Sequence, residues 1–520
     1  MLIINKTMSL KEFFNINKLK SRLVIDGIII GIIGGTLSVL YRLMLSYLGD
    51  IRFSLYHDEK NIFILIGVLI ISSFVIYRLV KWEPLSSGSG IPQIQGELID
   101  ELDMNENKVL ASKYIGGGLA NLVGLSLGRE GPSIQIGAAG AKFLAKILKR
   151  DSNEQKYMIT AGASAGLAAA FNAPISGTLF ALEEMHKNFS TLVLLPCIIA
   201  SVIADFISKN MFGLEPAFSF KTVGLIPLEK YHTVIMLGIF SGLIGVLFNK
   251  VILGFQSIYS RVAMPPFAKM LVVMLIAAAV GFSYYDLLGG GHDLLEMIAV
   301  EMIPFKMILI YLIGKLLFTG ISYGSGAQGG IFLPVLVLGG LSGACAFSII
   351  GNFVSISDIY YTNFIILGMA AVLTAVARSP IISILLVSEM TGSFHYILGL
   401  CLVSIIAYLT AEFLREKPIY HSLLERILSK NRKEISEDVI RYSEKVLLEY
   451  RIPVSGMLVN RKLMDIIWPC ELLIVAIERN GRQFIPIGSD ELKAGDLITV
   501  FSSNKNTAKL DDFFKFSEER

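Results

Sequence analysis

The pattern of apolar and polar positions divides the chain into two unlike regions. From Val24 to about Ala411 apolar runs recur, separated by short polar or glycine-rich stretches. Several approach the ~20 residues a helix needs to cross a hydrocarbon core. Ile62–Ile76, His232–Phe248, Met270–Phe282 and Asn363–Val376 are examples. Others are shorter than a full span, which predicts short or broken helices. From Ser429 the pattern changes. "SKNRKEISEDVIRYSEK" is dense in charge, and strand-like alternation follows in "LLIVAIERNGRQFIPIG" and "DLITVFSS". Asn480-Gly481 supplies a hairpin-turn signal between two such runs. These patterns predict an all-α polytopic membrane region over 1–428, a helical linker at 429–437 and a small α/β domain at 438–512.

The membrane region repeats itself. "GREGPSIQIG" from Gly128 and "GIFLPVLVLG" from Gly330 both read G-x-x-x-P, with a further glycine five residues past the proline. "GASAGLAAAFNAPISGTLFALEEM" from Gly162 matches "GMAAVLTAVARSPIISILLVSEM" from Gly368: proline follows twelve residues later and Glu-Met closes both. A weaker pair is "GSGIPQI" at Gly88 and "GGGHDLL" at Gly289. The three pairs are 202, 206 and 201 residues apart. Nearly constant offsets in the same order predict two halves, at about 22–215 and 230–420. Matching glycine- and proline-interrupted segments predict a transporter-type fold with its site where the halves meet. The spacing alone leaves open whether the halves are parallel or inverted.

Composition narrows the class. Of 520 residues 53% are hydrophobic and 17% charged, against roughly 25% charged in a typical soluble domain. Mean hydropathy is +0.63. A net charge of +3 argues against a nucleic-acid partner. Cys197, Cys345, Cys401 and Cys470 are widely spaced, so neither a zinc site nor a disulfide framework is implied. The six histidines are scattered, and no metal site or cofactor is expected. No Walker A, HExxH or GxSxG motif occurs, so neither an enzyme nor ATP-driven transport is expected. Lys11, Lys18, Lys20 and Arg22 before the first apolar run predict a cytoplasmic N-terminus.

Against this apolar background the charges in "GREGPS" stand out. Between Lys113 and Lys142 the only charged residues are Arg129 and Glu130. A helix that begins inside a membrane leaves its first amides unpaired, and those amides with the helix dipole form an anion site. "GSGIP", "GREGP" and "GIFLP" each place glycine ahead of a proline suited to a first helical turn. Three such N-termini would bind an anion without a full countercharge, which favours release; the alternative is that the glycines serve close packing. Glu130 would compete with the anion when ionised and leave when protonated, acting as gate and proton acceptor. The competing reading is a structural Arg129–Glu130 pair, although neighbours on a helix do not face each other. Glu183 and Glu184, ahead of Met185, His186, Lys187 and Asn188, either mark where the chain reaches water or form a proton entry point.

These segments resemble the signature motifs of the CLC family of chloride channels and chloride/proton antiporters. "NAPISGTLFALEEM" and "KPIYHSLLERIL" are similar to two further family segments, and the likeness covers about 20–428. It implies an inverted repeat of about eighteen tilted and broken helices and a homodimer with one pore per subunit. It implies chloride contacts at Ser89 and Gly90, at the amides of Ile331 and Phe332, and at the Tyr420 hydroxyl. It makes Glu130 the gate and external proton site, flanked by Arg129 and Gly131, and Glu184 the internal proton-transfer acid. An acid at Glu184 points to exchange rather than passive conduction. Gln328 departs from the proline of many members. Ser89 and the intact "GREGP" argue against fluoride as substrate. The tail, "VSGMLVNRKLMDIIWPCELLIVAIERNGRQFIPIGSDELKAGDLITVF", is similar to the TrkA-C (RCK C-terminal) domain. That implies a cytoplasmic regulatory module, a small-molecule regulator and a prokaryotic source. The expectation is a chloride/proton antiporter of the cytoplasmic membrane. The alternatives are a passive voltage- or pH-gated chloride channel, or a ligand-sensing assembly protein linked to potassium transport.

Overall fold

In the computed structural model the described residues are 10–187, 190–218, 220, 224–434, 445–453, 457–479, 482–503 and 506–516. Asn188, the Asn480-Gly481 turn and residues 435–437 of the expected linker lie outside them. The chain divides into two units, Met1–Glu425 and Arg426–Arg520.

In the first unit, glycine, proline and polar breaks cut the apolar sequence into helices that fall into two sets of eight. The first set is α1 (Leu10–His57), α2 (Ile62–Trp82), α3 (Ile91–Leu98), α4 (Glu106–Val123), α5 (Glu130–Ile147), α6 (Ser152–Phe171), α7 (Pro174–Phe180) and α8 (Thr191–Phe212). The second is α9 (Tyr231–Arg261), α10 (Pro266–Ser283), α11 (His292–Val300), α12 (Phe305–Gly324), α13 (Phe332–Gly351), α14 (Tyr361–Ala377), α15 (Pro380–Met390) and α16 (Ile397–Phe413). α17 (Ile419–Glu434) follows, with the boundary between the units inside it. Among the described residues eight helices are long and apolar enough to cross a membrane. The interruptions account for the rest: α3, α7, α11 and α15 are short, as the broken apolar runs predict.

The repeat is visible in the backbone. Gly90 and Gly291 precede α3 and α11 with φ of 94° and 91°, which a side chain would strain. Asn172 and Arg378 end α6 and α14 with φ of 56° and 65°. The buried Nζ of Lys113 on α4 donates to the Gly88 carbonyl at 2.6 Å. Its counterpart on α12, Lys315, donates to the carbonyls of Leu287 (3.1 Å) and Gly289 (2.8 Å). Each half thus has a buried lysine holding its own glycine loop.

The halves meet reciprocally. Gly128 N–H donates to the Gly330 carbonyl at 2.7 Å, and Gly330 N–H donates back at 2.8 Å. Equivalent residues that exchange equivalent bonds are related by a local two-fold axis. The packing reading of the glycines also holds. Where α5 crosses α6, and α13 crosses α14, the backbones approach at Gly137/Gly162 and at Gly339/Gly368. A Cβ on Gly339 would sit 2.6 Å from the Gly368 carbonyl oxygen.

The second unit is a four-stranded antiparallel sheet in the order β1-β4-β2-β3: β1 (Lys445–Arg451), β2 (Leu472–Arg479), β3 (Arg482–Phe484) and β4 (Leu497–Ser503). Alternation in "LLIVAIER" slips at a bulge between Ile474 and Ala476, which turns Ile477 into the core although Leu473, four residues earlier, is exposed. α18 (Thr507–Phe516) contributes Leu510 and Phe514 to the core, with Phe514 stacked on Tyr450 at 4.1 Å between centroids. Burial would raise the Asp496 carboxyl. The Arg479 guanidinium at 2.8 and 2.7 Å and the Lys493 amide at 2.8 Å overcome this and hold it below its ordinary value of 3.8. A depressed carboxyl stabilises the fold above its unfolded value and loses that contribution as pH falls through the folded one. Hydrogen-exchange protection of the sheet, taken relative to the intrinsic rate at each pH, is therefore expected to fall on acidification below about pH 4. Asp496→Asn should flatten that pH dependence.

Candidate functional site: three helix starts and two buried acids

The short helix α3 begins at Gly90, and buried Ser89 lies just ahead of it, its Oγ accepting from the Ile91 amide at 3.4 Å. α5 begins at Glu130, and a Cβ on Gly131 would come within 2.9 Å of Ser89. α13 begins at Phe332 with Ile331 as its N-cap, and a Cβ on Gly330 would lie 3.0 Å from the Gly131 amide nitrogen. The three helix starts predicted from glycine and proline therefore converge. Their unpaired amides make the point of convergence favourable for a negative charge.

Glu130 occupies that point. Its side chain is fully buried, and its Oε2 and the Leu333 amide nitrogen both border the space beside Gly128. Neither carboxylate oxygen completes a hydrogen bond of good geometry. Arg129 Nε stands 3.8 Å from Glu130 Oε1, which corrects the expectation that these neighbours would not face each other. That rule holds inside a helix, whereas Arg129 is the N-cap and its side chain is free to turn. The contact is too long for a hydrogen bond, so it neutralises charge without fixing the carboxylate.

A cleft of about 940 Å³ reaches Gly128, Arg129 and Gln328. Arg42, Arg52 and Arg129 line it, together with Asp50, Glu215, Asp286 and Asp293. With three arginines against four carboxylates, the walls do not select for anions; the amides at the helix starts must. Gln328 is buried, and its Nε2 reaches Ser86 Oγ only at 3.4 Å.

Tyr420 on α17 is buried within electrostatic reach of both Glu130 and Glu184. Tyr323, at the end of α12, was not singled out by the sequence, yet its buried hydroxyl lies against the loop that carries Ser89: a Cβ on Gly88 would sit 3.0 Å from it. The only sequence signal was its place seven residues ahead of Gly330.

Glu183 and Glu184 do not mark the chain's arrival at water. The Glu183 carboxylate accepts from the amides of Ile381 (3.1 Å) and Ile382 (2.7 Å), capping α15. Glu389 accepts from the amides of Ile175 (3.0 Å) and Ser176 (2.8 Å), capping α7. Each half caps a helix of the other, so Glu183, not Glu184, is the partner of Glu389 in the repeat. Matching the two Glu-Met ends misaligns them by one residue. The first half has one residue more here, absorbed as a π-helical turn over Ala181–Met185, a form of insertion frequent at functional sites. The extra residue leaves Glu184 buried, with Ser379 Oγ donating to its Oε2 at 2.6 Å and Gln95 Nε2 to its Oε1 at 3.0 Å.

The model of the family described as voltage gated chloride channel matches residues 68–412. The chain belongs to this CLC family. A slow cyanobacterial Cl⁻/H⁺ antiporter of known structure is 30% identical, with a TM-score of 0.74, and the match covers 79% of this chain and 99% of that one. A CLC-type fluoride/proton antiporter, at 21% identity and TM-score 0.67, covers 79% and 98%. A eukaryotic CLC transporter, at 18% and 0.65, covers 78% and 74%. The latter two establish the shared fold alone. Residues 447–515 match the TrkA-C domain. The protein is thus a multi-pass CLC transporter with a TrkA-C tail.

Proposed function

We propose that this CLC protein exchanges chloride for protons. Chloride binds at Ser89 and Gly90, at the amides of Ile331 and Phe332, and at the Tyr420 hydroxyl. Glu130, between Arg129 and Gly131, alternates between occupying the anion position as a carboxylate and leaving it as an acid. Glu184 passes protons on the other limb of the path. The similarity to a Cl⁻/H⁺ antiporter supports this reading. The observation that carries it is Glu184 itself: a buried acid, within electrostatic reach of the same tyrosine as Glu130. Burying a carboxylate is costly, and passive anion conduction has no use for it. The protein works in the cytoplasmic membrane as a homodimer, with both termini and the regulatory tail in the cytoplasm.

The test is proton uptake by sealed liposomes containing the purified protein, driven only by a chloride gradient. Wild type is expected to move protons uphill. Glu184→Ala should pass chloride with proton movement reduced to that of protein-free vesicles. Chloride flux without protons in wild type would make the protein a passive channel.

A further inference from the structure

Glu184 is gripped from both halves of the repeat. Gln95 lies on α3, the helix that starts at the Ser89 anion site. Its Nε2 donates to the Glu184 carboxylate at 3.0 Å and to the Glu184 backbone carbonyl at 2.9 Å. Ser379 comes from the turn before α15, in the second half, and donates to the other carboxylate oxygen at 2.6 Å. All three side chains are buried. An amide nitrogen can only donate, and donors bind an anion about twice as strongly as a neutral acceptor. The bond to the backbone carbonyl also ties the π turn to α3, which fixes where the carboxylate points.

The other ionisable groups near Glu184 are few. Lys187 and Glu183 lie on its own segment, and Tyr420 faces it from α17. Glu183 is turned to the α15 amides. On α3, Glu97 is held by Lys142. From α6, Thr160 engages His186. Gln95 and Ser379 are therefore the groups that hydrogen-bond the carboxylate and set its preference for charge.

Resting on the exchange reading above, we infer that Gln95 and Ser379, one from each half, are positioning residues that hold Glu184 ionised and aimed. They set the pH at which it accepts a proton. Because Gln95 shares an eight-residue helix with the anion-binding end, a shift of α3 on anion binding alters the grip on the proton site directly. Chloride and proton sites then communicate through one short rigid element.

The experiment measures chloride-driven proton uptake and chloride flux in liposomes, with the same pH on both sides, stepped across the active range. The variants are Gln95→Met, which keeps the volume and loses the donor, and Ser379→Ala. Each is expected to keep chloride flux and to raise the pH midpoint of proton uptake by about one unit or more, the loss of one hydrogen bond to a charge. A wild-type midpoint in either variant overturns the inference. So does a parallel loss of both fluxes at an unchanged midpoint, which marks a merely structural role. Should Gln95→Met fail to assemble, Ser379→Ala carries the test alone. Glu184→Gln runs alongside: wild-type proton uptake in that variant sinks the exchange reading itself, whatever the two midpoints show.

Discussion

Glu130→Ala is expected to abolish proton movement while leaving chloride flux intact and independent of pH. The reason lies in what the α5 start offers. Its free amides and the dipole of an eighteen-residue helix favour one negative charge, worth up to about 2 kcal/mol in partly buried geometry. The carboxylate is tethered at that place, and its effective concentration there is on the order of millimolar or higher. It therefore competes with free chloride whenever ionised, and protonation removes the competition. Alanine has neither charge nor proton, so the anion position is open at every pH. The measurement is chloride efflux from liposomes between acid and neutral pH, with proton uptake followed in parallel. Proton uptake that survived in Glu130→Ala would refute the assignment. A chloride flux that kept its pH dependence would place the gate elsewhere.

The second large effect is expected on stability, from a residue far along the same helix. Lys142 on α5 is buried, and its ammonium lies 2.5 Å from Glu97 Oε1, 2.6 Å from Asp103 Oδ1 and 2.6 Å from the Met104 carbonyl. Glu97 belongs to α3, so this pair anchors the far end of the helix whose start carries Ser89. Eight residues are too few for a helix to persist without tertiary support. Lys142→Met leaves Glu97 buried without its countercharge and is expected to cost about 3–5 kcal/mol. Thermal unfolding of the purified protein in detergent measures it. Removing the second charge as well, in Lys142→Met with Glu97→Gln, should recover much of the loss. If the double variant is no more stable than the single one, the cost does not come from the stranded carboxylate.

Much of the architecture was legible in the order of residues. Constant offsets between glycine- and proline-marked segments exposed the repeat because a two-fold structure must place the same helix break twice. Gly90 and Gly291 need the same left-handed backbone. The helix starts at α3, α5 and α13 could be read because proline fits a first turn and because glycine permits close approach. Glu130 could be read as functional because a carboxylate in an apolar run has a cost that needs a reason. Of the tail, the strands in "LLIVAIER" and "DLITVFSS" could be read from alternation, but β1 and the bulge in β2 could not.

Other parts of the site left no local trace. Gln95, Ser379 and Tyr323 are ordinary polar residues in the sequence, and their roles come from partners 89, 195 and over 200 residues away. Lys113 and Lys315 share the repeat offset and could have been paired by it, but only burial shows that they hold the glycine loops. For Glu183 and Glu184 the sequence left a water boundary open as one reading; only the structure shows Glu183 and Glu389 each capping a helix of the other half. The single inserted residue at Ala181–Met185 was hidden because both segments end in Glu-Met.

By itself, then, the sequence determined that this is a polytopic membrane protein of two similar halves, with helices broken at chosen points and a strand-rich tail. Those properties follow from local rules: hydropathy sets which segments leave water, and glycine and proline set where a helix starts or stops. Only the tertiary structure decided which acid caps a helix and which carries charge in the interior, and which donors grip it. Those outcomes depend on distances across a two-fold interface, and no local rule contains a distance between residues hundreds of positions apart.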